Sequence, residues 1–140
     1  MLNVQSKNAV KVNVTRTNGL GGSDFRILPR GGSRLDEVSE VCERVQDLLS
    51  AFFSISGREL RAEGRLSADI SRIRQIGMYV SHVVVRLTMQ EVGYGFQRDR
   101  STVAHACHVI EDLRDNPEFE ILIRKIERIA EITFLRPGRC

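Results

Sequence analysis

A chain of 140 residues, 41% hydrophobic and 28% charged, is sized for one domain or one domain plus a tail, and an aromatic content of 6% with no Trp makes its core mostly aliphatic. No run approaches the roughly 18 apolar residues of a membrane span, no secretory apolar core opens the chain, and Cys42, Cys107 and Cys140 lack CxxC spacing; free thiols in a reducing cytoplasm are expected. The net charge of +3 is uneven: residues 1–34 hold six Lys/Arg against Asp24, residues 35–140 hold 15 basic and 17 acidic residues, and residues 58–100 alone carry eight Arg against five acids, so any nucleic-acid face belongs to the arm or to that stretch.

Residues 1–33 are rich in Asn, Ser, Thr and Gly, with GLGGS and PRGGS flanking the apolar island Phe25-Arg26-Ile27-Leu28. This composition predicts a flexible basic arm. Val10, Val12 and Val14 alternate as a short strand would, without an obvious partner. From residue 35, Leu35, Val38, Val41, Cys42, Val45, Leu48, Leu49, Phe52 and Phe53 recur at three- and four-residue steps. They predict a helix over about 34–53 with Ser33 as its N-cap. Ser56-Gly57-Arg58-Glu59 has the S-x-x-E form of a capping box and predicts a short helix that includes Leu60 and ends at Gly64.

A loop over 64–68, with Arg61 and Arg65 at or near it, leads to a helix from about Asp69 to Arg86. Its predicted buried stripe is Ile70, Ile73, Ile76, Gly77, Val80, Val83 and Val84, with Arg72, Arg74 and His82 elsewhere. Thr88-Met89-Gln90-Glu91 is a second capping box. It opens a helix of barely two turns with Met89, Val92 and Phe96 inward and its end weakened by Gly93 and Gly95. A turn and a helix over about 100–114 follow, with Val103, Ala106, Cys107 and Ile110 on the apolar side. Asn116-Pro117 breaks the pattern, and Pro117 suits the first turn of a last helix over about 117–132. Phe119, Leu122, Ile123, Ile126, Ile129 and Ala130 form its core stripe, though a last helix can also serve a homodimer. Residues 133–140 read as a loose end. The body is all-α, with about six helices.

A short helix, a turn and a second helix with polar residues at its start form a helix-turn-helix arrangement. The DNA major groove admits one helix, whose first residues reach base edges. Here those residues are Asp99, Arg100, Ser101 and Thr102. Two helices joined by a turn also occur in most α-proteins, so the pattern alone leaves DNA binding as one alternative. His105 and His108 share a helix face but Cys107 points away from it, and neither HExxH nor paired CxxC is present, so no metal is expected. Adjacent Cys107 and His108 cannot face one another as nucleophile and base. Without GxxxxGK[ST] there is no sign of ATP binding. No cofactor and no catalysis are expected.

The stretch RQIGMYVSHVVVRLTMQEVGYGFQRDRSTVAHACHVIEDL, residues 74–113, resembles the C-terminal DNA-binding domain of the bacterial chromosomal replication initiator DnaA. Arg74–Tyr79 resembles that family's RQ-(I/V)-AMY helix. Leu87–Gly93 resembles its LS-x-x-EIG segment, and Phe96 with Arg98–Ala106 its signature FGGRDHTTVLHA. The resemblance covers about 35–115. It implies an all-α, Trp-repressor-like helix-turn-helix bundle over 34–132 that binds double-stranded DNA at DnaA-box-like sites, regulating transcription or replication initiation from a nucleoid-associated, cytoplasmic location. Carried over residue by residue, Asp99, Arg100 and Ser101 read bases. Arg65, Arg74, Gln75, His82, Met89, Gln90, Arg98, Thr102 and His105 hold the DNA backbone.

Four departures from the family pattern bear on that reading. One residue, Gln97, stands where the family has two glycines, so the turn is shorter. Arg100 replaces the usual His. Leu66-Ser67-Ala68-Asp69 replaces an Arg-rich run in the loop that probes the minor groove, leaving Arg65 near the expected position. The initiator's ATPase module has no counterpart in these residues, so the resemblance points to a stand-alone DNA-binding protein, with other replication or transcription proteins as further partners. A protein-interaction module with a decayed DNA face is the alternative.

Overall fold

The computed structural model describes residues 32–135. The predicted arm, the Val10–Val14 alternation and most of the predicted loose end lie outside the described residues. Six helices and no strand occur among those described: α1 (Arg34–Phe53), α2 (Gly57–Arg61), α3 (Ala68–Val83), α4 (Met89–Phe96), α5 (Arg100–Leu113) and α6 (Pro117–Phe134). None of them is long and apolar enough to cross a membrane.

Local caps set the helix starts. The Ser33 hydroxyl accepts the Asp36 N–H at 3.3 Å while the Ser33 N–H donates to the Asp36 carboxylate at 2.9 Å, a reciprocal box at the predicted position. Thr88 and Glu91 close the second box in the same way, both bonds 3.1 Å. At α2 the expected box does not close: Ser56 accepts from the Arg58 N–H at 3.2 Å, and the helix ends at Arg61, before Gly64. Five residues cannot sustain a helix on their own. Burial of Leu60 and a clamp from α3, described below, hold it in place.

α3 starts one residue earlier than expected, after Ser67, whose hydroxyl accepts the Ile70 N–H at 3.3 Å. It also stops earlier, at Val83 rather than Arg86. The Val84 and Val85 N–H groups both bond the Val80 carbonyl, and Arg86 takes a left-handed φ of 66°. This unwinding changes which valines turn inward. Val83, expected in the stripe, is 41% exposed, whereas Val84, Val85 and Leu87 are buried. Arg74, expected away from the core, is only 8% exposed.

α4 runs through both of its glycines. A Cβ at Gly93 would sit 2.6 Å from the Arg98 carbonyl oxygen, and one at Gly95 2.3 Å from Cys42 Sγ. The glycines therefore let the turn and α1 approach the α4 backbone rather than weakening its end. α6 passes the expected limit to Phe134, which is buried, whereas Ile129, expected in the core stripe, is 38% exposed. α1 packs on α3 and α4, and α5 packs on α3 and α4. Their shared core is aliphatic, centred on Val38, Val45, Leu49, Ile76, Val80, Val92, Val103 and Ile110. Each such side chain contributes on the order of 1.5–3 kcal/mol on burial.

Candidate nucleic-acid interface

α4 and α5 are joined by Gln97, Arg98 and Asp99. The reversal is made at Gln97, in the left-handed conformation at φ 55°, and closed by the Arg98 N–H on the Gly93 carbonyl at 2.8 Å. A glycine is the usual residue at such a helix end because an L side chain is strained there by roughly 1–2 kcal/mol. Gly93, one turn back, leaves room for the chain to fold over α4, since a Cβ there would meet the Arg98 carbonyl oxygen at 2.6 Å.

The start of α5 differs from that of the other helices. Ser33, Ser56, Ser67, Thr88 and Asn116 each accept a first-turn N–H with their side chains. Asp99, the N-cap of α5, makes no such bond. Its carboxylate is uncommitted, and the first-turn N–H groups keep their positive polarity toward whatever stands in front of the helix. Asp99, Arg100, Ser101 and Thr102 are all exposed, and His105 and His108 continue the outer face one and two turns on. Val103, Ala106, Cys107 and Ile110 anchor the opposite face in the core. Burial pushes the Cys107 thiol up, and pushes Cys42 up to about 12. Both are therefore protonated apolar fillers at neutral pH, not nucleophiles or metal-binding thiolates.

The remaining predicted site residues divide into two groups. Met89 and Gln90 stand half-buried and exposed at the start of α4, Arg98 is half-buried in the turn, and Arg65 is exposed just after Gly64, whose φ is 89°. Gln75 is half-buried and accepts a bond from Arg72 at 2.9 Å. The other group is committed inward. Arg74 donates through Nε to the Leu60 carbonyl at 3.0 Å and through Nη2 to the carbonyls of Leu60 and Ala62 at 2.6 and 2.7 Å. Desolvation, with the Arg98 charge second, lowers its pKa. His82 Nδ1 meets the Leu87 carbonyl at 2.8 Å. A carbonyl only accepts, so the proton sits on Nδ1.

Several residues outside the predicted site support this surface. Gly93 and Gln97 shape the turn. Ser39, Glu43 and Tyr94 join Arg98, Asp99 and Thr102 around a groove of about 630 Å³ beside it. Arg34, read from sequence as part of the basic arm, pairs with the capping residue Glu91 at 2.8 Å and ties α1 to the start of α4. Arg114, at the end of α5, holds Glu120 through two nitrogens at 2.6 and 3.0 Å and also donates to Tyr79 and Glu127. α5 is thereby fixed against α3 and α6. Among the described residues no cluster of His, Cys, Asp or Glu could hold a metal ion.

A short capped helix, a three-residue turn and a second helix presenting an uncapped polar N-terminus define an all-α helix-turn-helix domain of the DNA-binding class. Through residues 42–110 the chain belongs to the bacterial DnaA protein helix-turn-helix family. It is 40% identical over 68 residues to the chromosomal replication initiator protein DnaA of Desulfotalea psychrophila, an alignment covering 49% of this chain and 14% of that protein. It is 36% identical over 90 residues to the corresponding protein of Mesorhizobium japonicum, covering 60% and 18%. With that of Francisella tularensis subsp. tularensis it is 30% identical over 101 residues, covering 68% and 20%. The chain thus spans a fifth or less of the length of these relatives. The domain they share with it is a non-catalytic module.

Proposed function

We propose that this protein binds double-stranded DNA sequence-specifically at sites related to the DnaA box, with the start of α5 in the major groove, and so regulates transcription or replication initiation. The observation that carries the reading is the uncapped, exposed start of α5, with Asp99, Arg100 and Ser101 in place, inside the segment matched to the family. Arg100 is a long donor suited to guanine, Asp99 accepts from cytosine, and Ser101 bonds either. Thr102, His105, Arg98 and the α4 start at Met89 and Gln90 hold phosphates. Gln75 does so from α3, His82 only through Nε2, since its Nδ1 is held by the Leu87 carbonyl, and Arg65 from its loop. Arg74 serves the same surface by fixing the backbone of residues 60–62, from which the Arg65 loop springs. Arg100 in place of the family's His and the shorter turn shift the preferred sequence away from the standard box.

The test is selection of bound duplexes from a random pool with the purified chain at moderate salt. Enrichment of one motif related to, but distinct from, a DnaA box is the expected result. A pool that stays random would overturn the reading and leave a protein-interaction module in its place.

A further inference from the structure

α6 has two apolar faces, and the core uses one of them. Ile123, Ile126, Ala130 and Phe134 are buried, while Ile121, Ile129 and Ile132 stand 57%, 38% and 66% exposed. Ile121, Lys125, Arg128 and Ile132 follow at steps of four, three and four, so they share one outer stripe. At 1.5 Å per residue its isoleucines lie about 16 Å apart with two cations between them. Lys125 has no ion-pair partner among the described residues, and Arg128, its side chain 73% exposed, reaches only Glu131 at 3.6 Å. The Arg114 cluster fixes this stripe to the far end of α5, about 20 Å from the DNA-reading start.

Charge selects the occupant. A second copy laid antiparallel would oppose Lys125 to Arg128 wherever the isoleucines pair, and a parallel copy would oppose lysine to lysine. The N-terminal arm is itself basic. An anionic bilayer would press on the exposed acids Glu111, Asp112, Asp115 and Glu118 at the α5–α6 corner, which a narrow peptide lying along the stripe avoids. We propose that the outer face of α6 docks an acidic amphipathic segment of another protein, its apolar side chains on Ile121 and Ile132 and its carboxylates on Lys125 and Arg128. The chain then joins a partner protein to DNA from opposite ends of α5.

The experiment pans a random peptide display library on the full chain and measures binding of the enriched, labelled peptides to Ile132→Ser and to the double variant Lys125→Glu/Arg128→Glu. Both changes are on exposed positions, and circular dichroism checks the fold. Enrichment of peptides alternating apolar and acidic residues is expected, with affinity falling about tenfold or more in each variant. Substitution of the peptide acids by Lys should restore binding to the double variant. No acidic enrichment, or enriched peptides indifferent to both variants, would overturn the proposal. A wild-type dimer in light scattering that Ile132→Ser makes monomeric would overturn it in favour of a second copy. Co-sedimentation with phosphatidylglycerol vesicles that the double variant abolishes would do so in favour of a membrane. DNA affinity measured on the same samples separates this face from the α5 surface, because loss of DNA binding with peptide binding intact removes the proposed DNA function alone.

Discussion

Arg74 and Arg100 show how differently two arginines of one surface act. Arg100 is exposed at the start of α5 with its guanidinium free to read a base. Replacing it or Asp99 by Ala should relax sequence choice by about 1–3 kcal/mol for each base-reading pair removed. Competition between the selected site and random duplex measures this, and equal weakening on both would remove these residues from the readers. Arg74 instead fills three hydrogen bonds to the carbonyls of Leu60 and Ala62 while 8% exposed. Arg74→Met leaves those oxygens without their donor, so unfolding in urea should show a loss of about 2–3 kcal/mol. Undiminished stability with uniformly weaker DNA binding would make Arg74 a phosphate ligand instead. The RQ motif marks the residue, but charge and helical position alone put it on the surface. Only the carbonyls that α2 leaves open, which depend on where α2 ends, explain its burial.

Elements were readable mostly where the determinants are local, although the local Ser56-x-x-Glu59 pattern does not close as a box. Ser33 as a cap, Thr88 with its box, Asn116-Pro117, and the apolar spacing of α1 and α5 need only neighbours within four residues, and the helix starts they set agree with the structure. The end of α3, the burial of Val85 in place of Val83, and the placement of Arg74 depend on tertiary contacts that periodicity does not carry. Within the candidate site, the polar run Asp99–Thr102 and the place of Gln97 in the turn were legible, whereas the support from Gly93 and Arg114 was not. Gly93 reads in sequence as a weak point because the Arg98 carbonyl that fills its missing Cβ space arrives only once the turn has formed. That approach is to backbone at 2.6 Å and cannot be relieved by a rotamer change. Gly93→Ala should therefore lower stability by about 1–3 kcal/mol and re-aim α5 against α4. Thermal melts and the selected motif both report it, and an unchanged midpoint would show that the turn is slack.

Among the described residues many of the charged groups hold helices together. Bonds from Arg114 and then Arg124 lower Glu120 to about 2 from 4.5. Glu91 is raised by burial but lowered more by the Thr88 N–H and Arg34, so that its net shift is also downward. A carboxylate depressed in the folded state adds stability that is complete above its unfolded pKa and vanishes as pH falls through the folded one. The melting temperature should accordingly drop between about pH 4.5 and 2, with Glu120→Gln flattening that decline. Parallel acid profiles for the two proteins would remove Glu120 from the account. At neutral pH these pairs leave residues 35–140 with 15 basic against 17 acidic residues, a poor net charge for approaching DNA. The surplus lies in residues 1–34, and one of its cations, Arg34, is committed to Glu91. The other five, Lys7, Lys11, Arg16, Arg26 and Arg30, lie outside the described residues, and we propose that they meet phosphates. Deleting residues 2–31 spares the Ser33 cap and the Arg34–Glu91 pair while removing all five. The deletion should weaken binding to specific and random duplex alike and reduce the slope of log K against log salt by about 0.9 for each phosphate no longer neutralised. An unaltered slope in the shortened chain, with its motif preference intact, would confine the whole interface to the helices.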